Sequence, residues 1–236
     1  MCKFAVKASH LAANPADGVE LPPLPETEQR YLTHEQLQRI AVASGRLRTL
    51  VMVLGFCGLR FGEAAALRVS DVDTTGRRIR VRRSVTYVRN TGLVEGPTKN
   101  HTARAVPVPA FVARLLATEI AGRDGDALVF ESRRGGYLTL KEAGYHFNKA
   151  AAAGGVENVR LHDLRHTCAS LAISAGANVK VVQKLLGHKT AVLTLDRYGH
   201  LYPDDLDAVA TAFDAASTAY QLRTGQHLRV ARTDEK

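Results

Sequence analysis

Four short segments carry side chains whose types and spacing suit chemistry on an anion. In Gly58-Leu59-Arg60-Phe61-Gly62-Glu63 an arginine stands at a turn just before a helix, where its planar fork can grip an anion by parallel hydrogen bonds. Alone, the same arginine reads equally as a surface or ion-paired group. Pro97-Thr98-Lys99-Asn100 sets a lysine in a loop, a solvated charge unless neighbouring strands present it to a ligand. In Leu161-His162-Asp163-Leu164-Arg165-His166, His162 and Arg165 are three apart and share a helical face. The apolar stripe runs through Leu164, Cys168 and Leu171 instead, so the pair is expected at the rim of the core, facing a cleft. His166 follows His162 by four residues, the spacing of a two-histidine metal site. Against a metal stand the missing HExxH glutamate, the lack of an obvious third ligand nearby, and Arg165, which would repel a cation. The fourth segment is Leu186-Gly187-His188 followed by Leu195-Asp196-Arg197-Tyr198-Gly199-His200. By itself a histidine after glycine is a cap or surface group, and a tyrosine at a helix end is a boundary residue.

Taken in order, these pieces (GLRFGE, PTKN, LHDLRHTCAS, LLGHKT, TLDRYGHL) resemble the catalytic domain of tyrosine recombinases, the phage-integrase family, over roughly Tyr31 to Tyr202. The resemblance implies a mainly α fold with a small antiparallel β-sheet (α+β). It implies a site-specific DNA recombinase that cuts and rejoins strands through a 3′-phosphotyrosyl intermediate, with neither metal nor ATP and no cofactor. It makes Arg60 and Arg165 the catalytic arginines, Lys99 the sheet lysine, His162 and His188 the histidines and Tyr198 the nucleophile; Glu63 matches an acidic position of structural use. It implies double-stranded DNA with attachment-type sites as partner, a homotetramer on DNA, accessory DNA-bending proteins, and work in a bacterial cytoplasm at the nucleoid. Type IB topoisomerases use a similar residue set and would relax supercoils. A DNA-binding module without catalysis, and a hydrolase with a metal on His162, His166 and His188, are the other readings.

These residue types suit that reaction. Its transition state is a crowded, negatively charged phosphorane, so catalysis is mainly positioning and charge stabilisation. Two guanidiniums can grip the non-bridging oxygens from opposite sides. A phenol with an ordinary pKa of about 10 needs help losing its proton; guanidiniums lower that cost and His162 could accept it. Lys99 would return a proton to the leaving 5′ oxygen. Tyr202, four residues beyond Tyr198, could share its helical face, but the Leu-Asp-Arg-Tyr-Gly-His context fits Tyr198.

The elements that must hold these groups are legible in outline. Thr33 with Gln36 predicts a capping box and a helix to about Ser44. Further helices are expected over Leu47–Cys57, from Phe61, over 110–121 and 139–153, from His162 to Ala175, over Val179–Leu186 and Thr190–Tyr198, and from Pro203 to about Tyr220 with Asp204 and Asp205 in its first turn. The alternation of Arg78-Ile79-Arg80-Val81-Arg82 predicts a half-buried strand, with Ser84–Arg89 continuing or partnering it and Ala103–Val108 as another. Asn90–Asn100 reads as turn chemistry. The arginines of 77–83 either contact DNA phosphates or guard a sheet edge; Lys180, Lys184 and Lys189 form a second basic group. Residues 1–30 read as the remnant of an N-terminal DNA-binding domain with a Pro-rich linker at Leu21–Pro25, residues 31–222 as the catalytic domain, and 223–236 as a polar tail. Such a fragment is expected to be monomeric and to bind DNA weakly. The last helix offers Leu206, Val209, Ala210 and Phe213 either to a neighbouring subunit or to its own domain.

Composition agrees with this reading. The 236-residue chain is 45% hydrophobic and carries a formal charge of +9, enough apolar material for a core and an excess of cations suited to a polyanion. No apolar run reads as a membrane span, and the first residues do not read as a signal peptide. Cys2, Cys57 and Cys168 fit neither a disulfide framework nor a CxxC metal site and are expected to be reduced thiols.

Overall fold

The computed structural model describes residues 2–19, 30–98, 103–202 and 206–224. After helix α1 (Cys2–Lys7), the Pro-rich stretch at Leu21–Pro25 lies outside the described residues. Helix α2 (His34–Ala43) begins at the expected box: Thr33 Oγ1 accepts from the Gln36 N–H at 3.1 Å and Gln36 Oε1 accepts from the Thr33 N–H at 2.9 Å. Helix α3 (Arg48–Cys57) is buried almost all round and ends at Gly58 in a left-handed conformation, φ 64°. A single turn and a half, α4 (Phe61–Ala65), follows.

The β region departs from expectation. One small sheet was implied, but there are two. Strands β1 (Val72–Asp73), β2 (Arg78–Val81) and β5 (Arg104–Pro107) form an antiparallel sheet in the order β1-β2-β5. Strands β3 (Arg83–Val88) and β4 (Gly92–Pro97) form a separate antiparallel hairpin, with Arg83 opposite Pro97 and Val88 opposite Gly92. Residues 92–97 are therefore strand, where glycine and proline suggest only turn. The turn is compressed into Arg89–Thr91, with Asn90 at φ 67°. Ladder pairing then outweighs poor strand propensity, which a hairpin edge tolerates. Glu95 anchors the hairpin to the body, accepting from Tyr137 Oη at 2.6 Å and from Arg68 at 3.2 Å.

On β2, Ile79 and Val81 are buried while Arg78 and Arg80 face solvent, as the alternation requires. Arg82 and Arg83 both pair with the buried Asp71. Of the arginine run, Arg77, Arg78 and Arg80 face solvent, and Arg82 stays half exposed beside Asp71.

Helices α5 (Ala110–Ile120), α6 (Leu140–Ala153), α7 (Asp163–Ser174), α8 (Val179–Leu186), α9 (Val192–Tyr198) and α10 (Leu206–Thr224) complete the fold. The main core gathers α2, α3, α5, α6 and the inner face of β2, with Leu164 of α7. A second, smaller core joins Ala169 and Ile173 of α7 to Val182 and Leu186 of α8 and Tyr198 of α9. Helix α7 lies between the two, so Leu164 through Ala169 are buried without a break. This corrects the expected rim position for Arg165, which is 4% exposed, whereas His162 is exposed. Ala175, the expected last residue of this helix, is exposed and lies just beyond it.

Helix α10 starts at Leu206; Pro203, Asp204 and Asp205 lie outside the described residues, and Asp207 occupies its first turn. Ala210 and Phe213 are exposed, Phe213 by 71%, so this stretch is not covered by its own domain. Cys57 and Cys168 are buried free thiols, and Cys2 is a half-buried one. Among the described residues no helix is long and apolar enough to cross a membrane.

Gly58 illustrates how tightly the site is seated on this core. A Cβ there would lie 2.8 Å from Leu186 Cδ2 and 3.0 Å from Cys168 Sγ, on a left-handed residue. Gly58→Ala is expected to cost about 2 kcal/mol through backbone strain and overpacking, read as a lowered urea midpoint.

Candidate active site

The site is assembled by Arg165 at its floor. Its guanidinium donates to the carbonyls of Gly58 and Leu186. Those residues precede Arg60 and His188 by two positions, so one buried side chain ties the α3–α4 turn to the end of α8. Arg60 is the residue before α4. Glu63, one turn on, accepts from the Arg60 N–H at 2.9 Å and from its guanidinium at 3.0 Å. The Arg60 side chain stays 28% exposed while that of Glu63 is 1% exposed. Glu63 also receives both terminal nitrogens of Arg104, at 2.9 and 2.7 Å.

His188 follows Gly187, the left-handed residue that closes α8. Its Nδ1 lies 3.0 Å from Thr194 Oγ1, and its ring is parallel to that of Tyr198, centroids 6.3 Å apart. Tyr198 is 1% exposed, and its hydroxyl lies 2.9 Å from His166 Nδ1. His166 in turn meets His162 edge to face, centroids 5.0 Å apart. His162 is the exposed residue just before α7.

The electrostatics bear the mark of burial among cations. Burial pushes the Tyr198 phenol up to about 12, although Arg165 and Arg197 pull it back. His188 is held down at about 4 by burial and by Arg165, Arg60, Arg197 and Arg104. His166 is likewise at about 4, through burial and the neighbouring His162 and Arg197. His162 is lowered by burial and Arg165. Arg165 itself falls to about 10, from burial and from Arg60. The Glu63 carboxyl lies below its usual range: burial opposes ionisation, but the bonds and charges of Arg104 and Arg60 outweigh it. A site of this kind is built to receive negative charge.

An imidazole whose folded pKa lies below its unfolded one is protonated first in the unfolded chain. The stability owed to neutral His166 and His188 is therefore complete above pH 6.5, declines as pH falls from 6.5 towards 4, and is gone below that. Urea midpoints measured across this window should fall with acidification, and His166→Asn should make the fall shallower.

Four of the six sequence-derived residues, Arg60, Arg165, His188 and Tyr198, thus share one cluster, and His162 borders it through His166. Lys99 lies in 99–102, outside the described residues, on the connection between β4 and β5. Tyr202 packs against the second core that holds Tyr198, but its hydroxyl is buried with no partner among the described residues. Two participants had no clear role in sequence. His166 was read only as a conceivable metal ligand, and Arg104 was not singled out within the expected strand Ala103–Val108. Only a periodicity showing α7 buried on every side could have flagged the first; the second depends on contacts 41 residues away. Among the described residues no three His, Cys, Asp or Glu side chains form a metal-holding group.

Residues 30–204 match the model of the phage integrase family. The chain belongs to the phage integrase family. This integrase-family chain is 27% identical to a XerC-like tyrosine recombinase of Caldanaerobacter subterraneus over 89% of its own length and 62% of the relative's. It is 33% identical to the integrase of Mycobacterium phage D29 over 70% of its length and 46% of that protein's. It therefore spans about half to three-fifths of these curated relatives. Its fold matches that of the Tn1549 transposon integrase, solved in complex with a circular intermediate DNA, with a TM-score of 0.72 at 20% identity, over 90% of this chain and 74% of that one. The mainly α architecture with small antiparallel sheets is that of tyrosine-recombinase catalytic domains.

Proposed function

We propose that this chain is the catalytic part of a site-specific DNA recombinase, breaking and rejoining strands through a 3′-phosphotyrosyl intermediate. One observation carries the reading: Arg60, Arg165, His188 and Tyr198, drawn from four separate segments, share one cationic cluster around a phenol. Arg60 and Arg165 would hold the non-bridging oxygens of a scissile phosphate. Tyr198 would attack phosphorus, forming the tyrosyl ester as the bond to the 5′ oxygen breaks. The phenolic proton would pass to His166, already in hydrogen-bond contact, with the exposed His162 next in line. Lys99 would protonate the departing 5′ oxygen, and His188 would bond the phosphate or orient the phenol. A 5′ hydroxyl from a second strand reverses the step, so the bond energy is conserved and no ATP is consumed.

The partner is double-stranded DNA bearing paired recombination sites, gripped mainly by phosphate contacts from surface cations such as Arg78 and Arg80. The exposed Phe213 face of α10 suits docking on another subunit of a homotetramer, with DNA-bending proteins assisting and the nucleoid as the place of work.

A duplex nicked just 3′ of the cleavage position, which loses its short fragment on cutting, should trap a covalent protein–DNA band that persists in EDTA. Binding without such a band would mean a non-catalytic module. Plasmid relaxation without exchange between paired sites would mean a topoisomerase.

A further inference from the structure

Arg104 differs from Arg165 in its partner: its charge is answered by the Glu63 carboxylate, whereas Arg165 bonds two neutral carbonyls and keeps a net charge for a phosphate. Both terminal nitrogens of its fork are committed to the two oxygens of Glu63, at 2.9 and 2.7 Å, and its side chain is only 13% exposed. Its remaining donor, Nε, is buried without a partner among the described residues. The same guanidinium is pressed against Gly187: a Cβ at that position would lie 2.9 Å from both Cδ and Nε and 3.1 Å from Cζ. Arg104 therefore sits between two parts of the site. Through Glu63 it braces Arg60, and through Gly187 it supports the turn that delivers His188.

We infer that Arg104 is a positioning residue for DNA cleavage, holding Arg60 and His188 in mutual register without touching the phosphate. The inference rests on the recombinase reading. Its logic is geometric: a carboxylate shared by two guanidiniums, one bound through both terminal nitrogens and one partly exposed, leaves the second free to grip a ligand while fixing its direction. The glycine at 187 is required twice, once by its left-handed φ of 64° and once by the guanidinium below it.

The test uses the full chain and the nicked trapping duplex, with DNA affinity measured separately from the single-turnover cleavage rate. Arg104→Met should slow cleavage about 100-fold, the scale of a small misplacement of catalytic groups, while leaving affinity for DNA unchanged. In Arg104→Ala, which vacates the space of the arginine side chain, free ethylguanidinium should restore much of the lost rate. The double variant Arg104→Met/Glu63→Gln should be no slower than the worse single variant, since both act through one contact. Should Arg104→Met not fold, Arg104→Lys, which keeps the charge but cannot make the two-pronged bond, is to show the same slowing. Wild-type cleavage with an unchanged rate in the Arg104 variants would overturn the inference and leave the recombinase reading standing. So would a loss confined to DNA affinity, or losses that multiply in the double variant. Wild-type binding with no adduct would remove the recombinase reading, and this inference with it.

Discussion

Tyr198→Phe should abolish the covalent DNA adduct, while Tyr202→Phe should leave it intact. The first substitution removes the hydroxyl proposed to attack phosphorus. The ring remains stacked on His188 and packed in the second core, so the fold should lose only the hydrogen bond to His166, about 1 kcal/mol. Loss of a covalent nucleophile costs on the order of 10⁶-fold in hydrolases, so no band should appear at any accessible time. Tyr202 offers the opposite case. Its hydroxyl is buried with no partner among the described residues, and removing an unsatisfied buried group is neutral or mildly stabilising. Peptide mass mapping of the trapped adduct checks both at once. A modified Tyr202 would move the nucleophile and require a different geometry for α9.

Arg165→Met should be the most damaging change at any of the cationic positions, because it acts on rate and on fold together. Loss of a guanidinium that stabilises a phosphoryl transition state costs about 10³- to 10⁵-fold. It also leaves the Gly58 and Leu186 carbonyls without their donor inside the core, a penalty of about 2–4 kcal/mol. Arg165→Lys should recover little, since one ammonium cannot reach both carbonyls in the planar geometry of a fork. Arg60→Met provides the contrast: cleavage should fall comparably, but Glu63 keeps its two bonds to Arg104 and the unfolding midpoint should move far less. Urea unfolding beside single-turnover cleavage separates the two effects. Equal destabilisation by both substitutions would contradict the different burial of the two side chains.

How much of this was legible beforehand varied with the reach of the interaction. Thr33, Gln36, Gly58 and Gly187 act on their own helix ends within a few residues, and those boundaries were read correctly. The alternation over Arg78–Val81 likewise settled which side chains face solvent. The β3–β4 hairpin was not legible, because Gly92, Gly96 and Pro97 disfavour strand locally and only pairing with Arg83–Val88 makes them one. The rim position expected for Arg165 failed because a stripe drawn through Leu164 and Cys168 assumes a helix with one buried face, whereas α7 separates two cores.

The identities and order of Arg60, His162, Arg165, His188 and Tyr198, together with helix ends defined by local caps, were available from the residues alone, and they sufficed for the family. What only the tertiary structure decided is who touches whom: Tyr198 with His166, Glu63 with Arg104, Arg165 with two carbonyls at Gly58 and Leu186. Caps and periodicity are encoded within a turn or two of chain. Burial and buried ion pairing depend on packing between segments tens of residues apart, where no local pattern records the partner.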